Sequence, residues 1–302
     1  MMENLMNVLV GADPEVFMYK NNKVVSAFGM VKGDKKAPYP VKDGAVQVDG
    51  MALEFNIDPA KNEEEFVSRI GSVMATLMGM VPDFEVKAVP AQKFTKKLMS
   101  SQPKEAVELG CEPDYNAWTE AENPKPDEGI QYRTGSGHIH IGWTNGQDIH
   151  DPDHIEACRM LARQMDCLVT IPYLYHYVLG DNKALAAEVK RRELYGMAGS
   201  FRPKPYGMEY RVLSNTWLDS EDRMKWVYRA TINAVNKLFE GDAAYKRAGK
   251  RSVYAAINEG GEFFIQELTI NFAGRHELPK KVVTVDSKLP MVDIFNKIKA
   301  TI

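Results

Sequence analysis

Four separate segments of this 302-residue chain carry polar, chemically reactive side chains at every second position. Side chains at alternate positions of a β-strand point to the same face of the sheet. Apolar residues such as Leu53, Ile139 and Tyr210 occupy the positions between them, so the segments predict an antiparallel sheet with one polar and one buried face. The polar pairs are Asp13 and Glu15, Glu54 and Asn56, His138 and His140, and Glu209 and Arg211.

The order of the other predicted elements favours an α+β fold. Strands and helices do not alternate regularly, which argues against a doubly wound parallel sheet and against a barrel. Asn62 and Ser220 each precede apolar residues at helical spacing and are predicted to cap helices. A long helical region is predicted over 151–179, with a kink or break at Pro172.

We expect the whole chain, 1–302, to form one catalytic domain. Residues 95–132 are rich in proline, acidic residues and asparagine and show weak periodicity, which indicates a long ordered loop or insertion near the site. The part from about 240 is predicted to be a C-terminal extension. It contains a predicted strand over 262–269 and a predicted helix over 291–302.

The composition narrows the class of protein. A net charge of −3 gives no reason to expect a nucleic-acid binder driven by overall charge, although it leaves a local basic patch open. No apolar run approaches the roughly 18 residues of a membrane span. The three cysteines form no CxxC pair and the start has no secretory signal, so we expect a cytoplasmic protein with no membrane partner.

The chemistry of the polar pairs indicates a divalent-metal site. A solvated sheet face would more often carry threonine, lysine and mixed polar residues, and any one pair alone would fit that simpler interpretation. Four pairs built from acids, imidazoles and arginine are harder to explain in that way. Clustered carboxylates repel one another unless a cation neutralises them. Carboxylate oxygens suit Mg²⁺ or Mn²⁺, and Mn²⁺ also accepts imidazole.

A second unusual segment, 190–211, concentrates cationic side chains among glycines and prolines. It is either an exposed charged loop or a phosphate clamp, because a guanidinium matches phosphate oxygens in a bidentate fork. Arg202 is the strongest candidate, since Phe201, Pro203 and Pro205 restrict its backbone. The cations of this segment are Arg191, Arg192, Arg202, Lys204 and Arg211. A metal site beside a phosphate clamp is typical of phosphoryl transfer.

The motifs GADPE, DGMALEFN, GSGHIHIG and SFRPKPYGMEYRVLSN resemble the successive active-site strands of the glutamine synthetase and glutamate–cysteine ligase superfamily. Within it, the chain resembles the phage-encoded carboxylate–amine ligases of the phiEco32-like type. The resemblance covers roughly residues 7–217. It implies a curved, largely antiparallel sheet with helices on its convex side, and divalent ions held between its carboxylates and ATP.

The resemblance also implies a role for each residue that matches a motif. The implied ligands of Mg²⁺ or Mn²⁺ are Asp13, Glu15, Glu54, His138 and Glu209. The resemblance implies that His140 contacts phosphate or a second ion and that Arg202 and Arg211 contact the transferring phosphoryl group of ATP. The cationic segment adds Arg192 and Lys204 as candidate contacts to ATP. Arg202, Arg211 and Glu54 are the expected catalytic residues. The implied reaction transfers phosphate from ATP to a carboxylate, and an amine then displaces that phosphate to form an amide.

Several questions stay open at this level. The substrates are a carboxylate and an amine on small molecules or peptides, with a modified nucleobase amine as a further option. Whether copies of the chain form a homo-oligomer is undetermined, and a phage origin would place the protein in the cytoplasm of the host cell. A metal-dependent hydrolase that uses the HxH site, a guanidino-kinase-like phosphotransferase and a non-enzymatic binding module are the rival interpretations. Metal-dependent turnover of ATP separates the ligase from the hydrolase and from the binding module.

Overall fold

The computed structural model describes residues 7–107, 114–124, 130–180 and 182–272. Within these residues the fold is α+β, as predicted, and every strand pairing is antiparallel. The strands are β1 (Leu9–Ala12), β2 (Glu15–Lys20), β3 (Lys23–Val25), β4 (Tyr39–Val41), β5 (Gly44–Asp49), β6 (Ala52–Ile57), β7 (Glu85–Lys87), β8 (Ala91–Lys93), β9 (Tyr115–Asn116), β10 (Ala121–Glu122), β11 (Tyr132–Thr134), β12 (Ile139–Gly142), β13 (Ser200–Lys204) and β14 (Gly207–Tyr210).

The helices lie mainly in the second half of the chain. They are α1 (Glu63–Met80), α2 (Lys96–Ser100), α3 (Lys104–Val107), α4 (Pro152–Met165), α5 (Ile171–Val178), α6 (Asn182–Arg192), α7 (Glu221–Phe239), α8 (Tyr245–Ala248), α9 (Lys250–Ile257) and α10 (Glu262–Phe272). A π-helical turn, Asp166–Thr170, joins α4 to α5, and a 3₁₀ turn, Asn215–Asp219, precedes α7. None of the helices in the described ranges has the length and apolar character needed to cross a membrane.

One six-stranded sheet, which we call the catalytic sheet, has the strand order β1-β12-β14-β13-β9-β10. Its register places Gly11, His140, Glu209 and Arg202 in one row across four neighbouring strands. Cross-strand partners share a face, so this row is polar and chemically active. The neighbouring positions are fully or almost fully buried in the core, among them Ile139, Ile141, Phe201, Met208 and Tyr210. The predicted alternation is therefore confirmed on these strands.

A second sheet contains β3, β2, β6, β5 and β4 in that order, and β7 also pairs with β2. The prediction of one sheet for all four polar segments is wrong, because Glu15 and Glu54 lie on this second sheet. The chain changes sheets between β1 and β2, at Asp13 and Pro14. Pro14 has no N–H to continue the β1–β12 pairing, and its carbonyl accepts a hydrogen bond from Phe55 of the second sheet at 3.2 Å.

Helices cover the apolar sides of the sheets. Helix α1 packs against β6 and α7, and α4 packs against β13 and β14. Both predicted caps are confirmed: Asn62 accepts a hydrogen bond from Glu65 N, and Ser220 accepts one from Arg223 N. The expected irregularity near Pro172 takes the form of the π-helical turn just before it, which lets the helical path continue around a residue without an N–H.

Two predictions in the C-terminal part have different outcomes. The predicted strand over 262–269 is wrong, because this stretch forms α10. Ile265, Leu268 and Thr269 are buried at helical spacing, and α10 packs against α5 and α9, so tertiary contacts outweigh the β-propensity of its apolar run. The predicted helix over 291–302 lies outside the described residues.

The segment 95–132 is more structured than the predicted loop. Thr95 caps α2, and α3 follows it. Strand β9 pairs with β13 and thereby extends the catalytic sheet, while β11 pairs with β8 outside it. The segment therefore contributes to the catalytic sheet as well as to the surface beside it.

Candidate active site

The polar faces of the two sheets enclose a cavity of about 440 Å³. The sheets are joined beside it by hydrogen bonds from Asp13 N to His138 O at 3.4 Å and from Glu15 N to Ser136 O at 2.8 Å. Eight predicted site residues line the cavity. They are Asp13, Glu15, Glu54, His138, Arg202, Lys204, Glu209 and Arg211.

A glycine in the GSGHIHIG motif allows the chain to place His138 at the cavity. A Cβ on Gly137 would lie only 2.2 Å from Ser214 O and 2.4 Å from Trp217 Nε1. The glycine carbonyl accepts a hydrogen bond from that indole at 3.0 Å. Close backbone approach, which only glycine permits here, therefore sets the start of the histidine-bearing segment.

Glu209 is the carboxylate on which the cations converge. Its Oε2 lies 3.3 Å from Arg202 Nη1 and 3.2 Å from Lys204 Nζ. Its Oε1 lies 3.2 Å from His138 Nδ1 and also contacts Arg211 Nη1. Burial raises the pKa of Glu209, but the neighbouring imidazoles outweigh burial and the nearby Asp13 charge, so that the pKa falls to about 2.

Asp13 lies between the two imidazoles of the HxH motif. Its Oδ1 is 3.3 Å from His138 Nδ1 and 3.1 Å from His140 Nε2. Burial opposes ionisation of Asp13, yet His140 and His138 together hold the pKa of its carboxyl well below the usual range. In return, the Asp13 carboxylate raises the pKa of His140 despite its burial. The other ring nitrogen of His140, Nδ1, contacts the hydroxyl of Tyr206.

On the second sheet, Glu15 and Glu54 are direct cross-strand partners. Glu54 accepts a hydrogen bond from Gln47 Nε2 at 2.6 Å, and Glu15 accepts one from Ser136 N at 3.0 Å. In the part of the chain that the structure describes, neither carboxylate has a cationic partner. Burial and then the Asp49 charge raise the pKa of Glu15 to about 7. Burial, with the surrounding carboxylates, raises the pKa of Glu54 well above its ordinary value.

The donor groups fit divalent cations. One atom each from Asp13, His140 and Glu209 lies within 4.8 Å of the other two. The Nε2 atom of His138 is buried without a hydrogen-bond partner, and such an orphaned atom calls for an explanation. The carboxylates of Glu15 and Glu54 form no salt bridge within the described residues, and a bound cation would neutralise their charge. Carboxylate oxygens with imidazole nitrogen suit Mn²⁺, and they suit Mg²⁺ in a less regular site.

Arg192 is a predicted site residue that does not take part in this arrangement. Its guanidinium is buried, donates to Glu188 Oε2 at 3.0 Å and does not line the cavity. Arg191 is also buried, and it donates to the carbonyl of Val212 at 2.7 Å. Arg191 thus holds the backbone behind the site, whereas Arg192 pairs within its own helix, so the predicted contact of Arg192 with phosphate is not supported.

Sequence reasoning missed several residues beside the cavity. Gln47 and Asp49 line it from β5, and Lys35 contacts Asp49 Oδ1 at 2.8 Å. The alternation in β5, with Gln47 and Asp49 separated by buried Val48, was a usable signal of the same kind as the four polar pairs. Tyr206 carried no comparable signal, since its contact with His140 depends on how the β13–β14 turn folds over β12.

A model of the family described as "Phage phiEco32-like COOH.NH2 ligase-type 2" matches residues 102–262, which is more than half of the chain. The chain belongs to this ligase family. Membership supports a carbon–nitrogen ligase that joins a carboxylate to an amine. The matched region contains the HxH strand and the β13–β14 hairpin of the catalytic sheet. Asp13, Glu15 and Glu54 precede it.

Among solved structures, this ligase is similar to the crystal structure of a bifunctional glutathione synthetase from Pasteurella multocida, with 12% sequence identity and a TM-score of 0.44. The match covers 98% of this chain and 52% of the other, so the ligase spans about half the length of that protein. A likeness this weak supports no argument about fold or activity. The comparison with curated proteins gives no match.

Proposed function

We propose that this chain is an ATP- and Mg²⁺-dependent ligase that activates a carboxylate as an acyl phosphate and passes it to an amine. The observation that carries the proposal is the division of the cavity into two parts. Uncompensated acids, Glu15 and Glu54, lie on one sheet, and a cluster of cations surrounds Glu209 on the other. We further propose that the fold is related to the glutamine synthetase superfamily.

The proposed metal ligands are Asp13, Glu15, Glu54, His138 and Glu209. When bound, the divalent ions neutralise charge on the triphosphate and screen the repulsion among the carboxylates. His140 is held between Asp13 and Tyr206, which limits the orientations of its ring. With Tyr206 at Nδ1, Nε2 is the nitrogen that would contact a second ion shared with Asp13, or a phosphate oxygen.

Three cationic side chains are proposed to bind the phosphate as it moves from ATP to the carboxylate. Arg202, Lys204 and Arg211 approach the cavity from β13 and from the end of β14. Their common contact with Glu209 holds them in place before substrate arrives. Such preorganised charge contributes most where negative charge develops on the transferring phosphoryl group.

The direct test is a screen of amino acids and amines for phosphate release with ATP and Mg²⁺, with mass spectrometry of the products. The proposal expects an amide formed in step with ADP and free phosphate. Glu209→Gln should abolish this turnover. Glu156→Gln, which alters an exposed glutamate paired with Arg159, is the matched control and should retain it.

The same screen separates the rival activities. A phosphotransferase would yield a phosphorylated product and no amide. A metal-dependent hydrolase would act without ATP and would be supported by Zn²⁺. The ligase proposal would be overturned if the parent enzyme turned over no ATP with any substrate of the panel and formed products by hydrolysis instead.

A further inference from the structure

The segment 95–132 supplies an acidic residue to the candidate active site. Asp114 directly precedes β9, which pairs through Tyr115 and Asn116 with Phe201 and Ser200 of β13. This pairing fixes the backbone of Asp114 beside the strands that carry the proposed phosphate-binding cations. Asp114 is therefore attached to the catalytic sheet through the backbone of its own segment.

The side chain of Asp114 reaches Arg211. Asp114 Oδ1 lies 3.2 Å from Arg211 Nε, and both side chains are largely buried, with 11% and 9% of their surface exposed. The contact does not have the linear geometry of a hydrogen bond, so charge attraction dominates it. Burial raises the pKa of Asp114, while the Arg211 charge opposes that effect.

A second contact holds Asp114 from the other side. Asn123 Nδ2 donates to Asp114 Oδ2 at 3.1 Å and to Ser200 Oγ at 3.0 Å. Asn116 Nδ2 in turn donates to Asn123 Oδ1 at 3.0 Å. The carboxylate is thus oriented by an amide network, and buried polar networks of this kind restrain the groups that they include.

Arg211 is held on three sides. Asp114 contacts its Nε, Glu209 contacts its Nη1, and the ring of Tyr195 lies 5.0 Å from its guanidinium carbon. A guanidinium held through Nε and one Nη keeps its remaining donors in a fixed direction. Without Asp114, the side chain could rotate toward Glu209 and lose that direction.

We propose that Asp114 is a positioning residue that orients Arg211 for the phosphoryl group. This inference rests on the proposed function of Arg211 and gives the segment 95–132 a part in the reaction. Asp114 does not line the cavity, so it acts through Arg211 and not on the substrate.

A double-mutant cycle tests the proposal with Asp114→Asn, Arg211→Lys and the double variant. Asparagine keeps the shape of the side chain and its contact with Asn123 but removes the charge. We expect Asp114→Asn to lower kcat about tenfold or more, within the range seen when supporting groups of a site are changed, with little change in the KM for ATP. In the Arg211→Lys background the same change should have almost no further effect. Independent, multiplicative losses in kcat would overturn the proposal.

A measurement that does not depend on enzyme activity tests the positioning role independently. The ¹⁵Nε–Hε signal of Arg211, assigned by its loss in Arg211→Lys, should report a restrained side chain in the parent and a mobile one in Asp114→Asn. An unchanged signal in Asp114→Asn would refute the positioning role even if the parent showed no ligase activity. An inactive parent with a mobilised Arg211 would instead refute only the proposed function.

The matched control is Asp219→Asn. Asp219 forms a similar carboxylate–guanidinium contact with Arg223 at the start of α7, away from the cavity. The substitution should leave kcat and the Arg211 signal unchanged. If Asp114→Asn likewise left both unchanged and altered only the stability of the protein, Asp114 would be only a structural residue.

Discussion

Glu15 and Glu54 face each other across the β2–β6 pairing, and within the residues that the structure describes neither carboxylate forms a salt bridge. Like charges directly opposite each other destabilise a sheet. The fold places them there nonetheless, next to Asp49 on the cavity wall. Glu209, which carries the same charge, is surrounded by cations. Because of this contrast, substitution of Glu15 and substitution of Glu209 should have opposite effects on the stability of the metal-free protein.

Glu15→Gln should stabilise the protein at pH 8 in the absence of divalent metal. Glutamine removes the repulsion but still offers an oxygen to Ser136 N, so we expect a gain on the order of 1 kcal/mol or more in the free energy of unfolding. Thermal unfolding with EDTA measures this gain. With Mg²⁺ added, the parent should be stabilised more than the variant, and equal responses to Mg²⁺ would contradict the metal assignment.

Glu209→Gln should have the opposite effect on the metal-free protein. The substitution leaves Arg202, Lys204 and Arg211 without their common counter-charge in a site where the Glu209 side chain is only 2% exposed. Breaking a buried ion pair from one side costs about 3–5 kcal/mol. Denaturant unfolding should therefore show a lower midpoint. A midpoint equal to that of the parent would mean that these cations have other partners.

Arg202→Lys should lower kcat by on the order of a hundredfold or more, because lysine keeps the charge but loses the bidentate fork. The KM for ATP should change much less, since the proposed metals and His140 would still hold the triphosphate. Arg202 contacts Glu209 in the site, whereas Glu193 pairs with Lys190 at the surface. An unchanged kcat in steady-state kinetics would remove Arg202 from the phosphoryl-binding group.

Asp166→Asn should flatten the pH dependence of stability. Asp166 is buried below the catalytic sheet, where it accepts hydrogen bonds from Trp118 Nε1 and Tyr210 OH, each at 2.6 Å. Burial raises its pKa to about 7, so the folded protein favours the protonated carboxyl. Its contribution to stability is full below about pH 4, the range of the unfolded carboxyl, and is lost as the pH rises through about 7.

Asparagine resembles the protonated form, since Tyr210 can turn its hydroxyl hydrogen to Thr170, whose Oγ1 lies 2.7 Å from Tyr210 OH. The variant should thus be more stable than the parent above pH 7, by on the order of a few kcal/mol, and similar to it near pH 4. Urea unfolding at both pH values checks this expectation. Parallel pH profiles for parent and variant would show that Asp166 is ionised in the folded protein throughout.

Local sequence patterns were sufficient to predict which polar side chains share a face on the catalytic strands. Alternation along single strands identifies His138 and His140, and likewise Glu209 and Arg211, because the side-chain period of a strand is independent of what the strand pairs with. The helix caps at Asn62 and Ser220 could also be predicted from the sequence, since a cap depends on only a few neighbouring residues. The family assignment follows from the same local motifs.

Which strands share a sheet and which charges neutralise one another depend on contacts between distant parts of the chain. The change of sheet at Pro14, the buried position of Arg192 and the contact between Asp114 and Arg211 all join residues far apart in the chain. The alternation of polar and apolar residues predicts which face of a sheet a side chain lies on, but not which side chain lies opposite it across the cavity. Burial then determines how strongly each charge interacts with its neighbours and how far its pKa shifts, and burial is a property of the whole packed molecule.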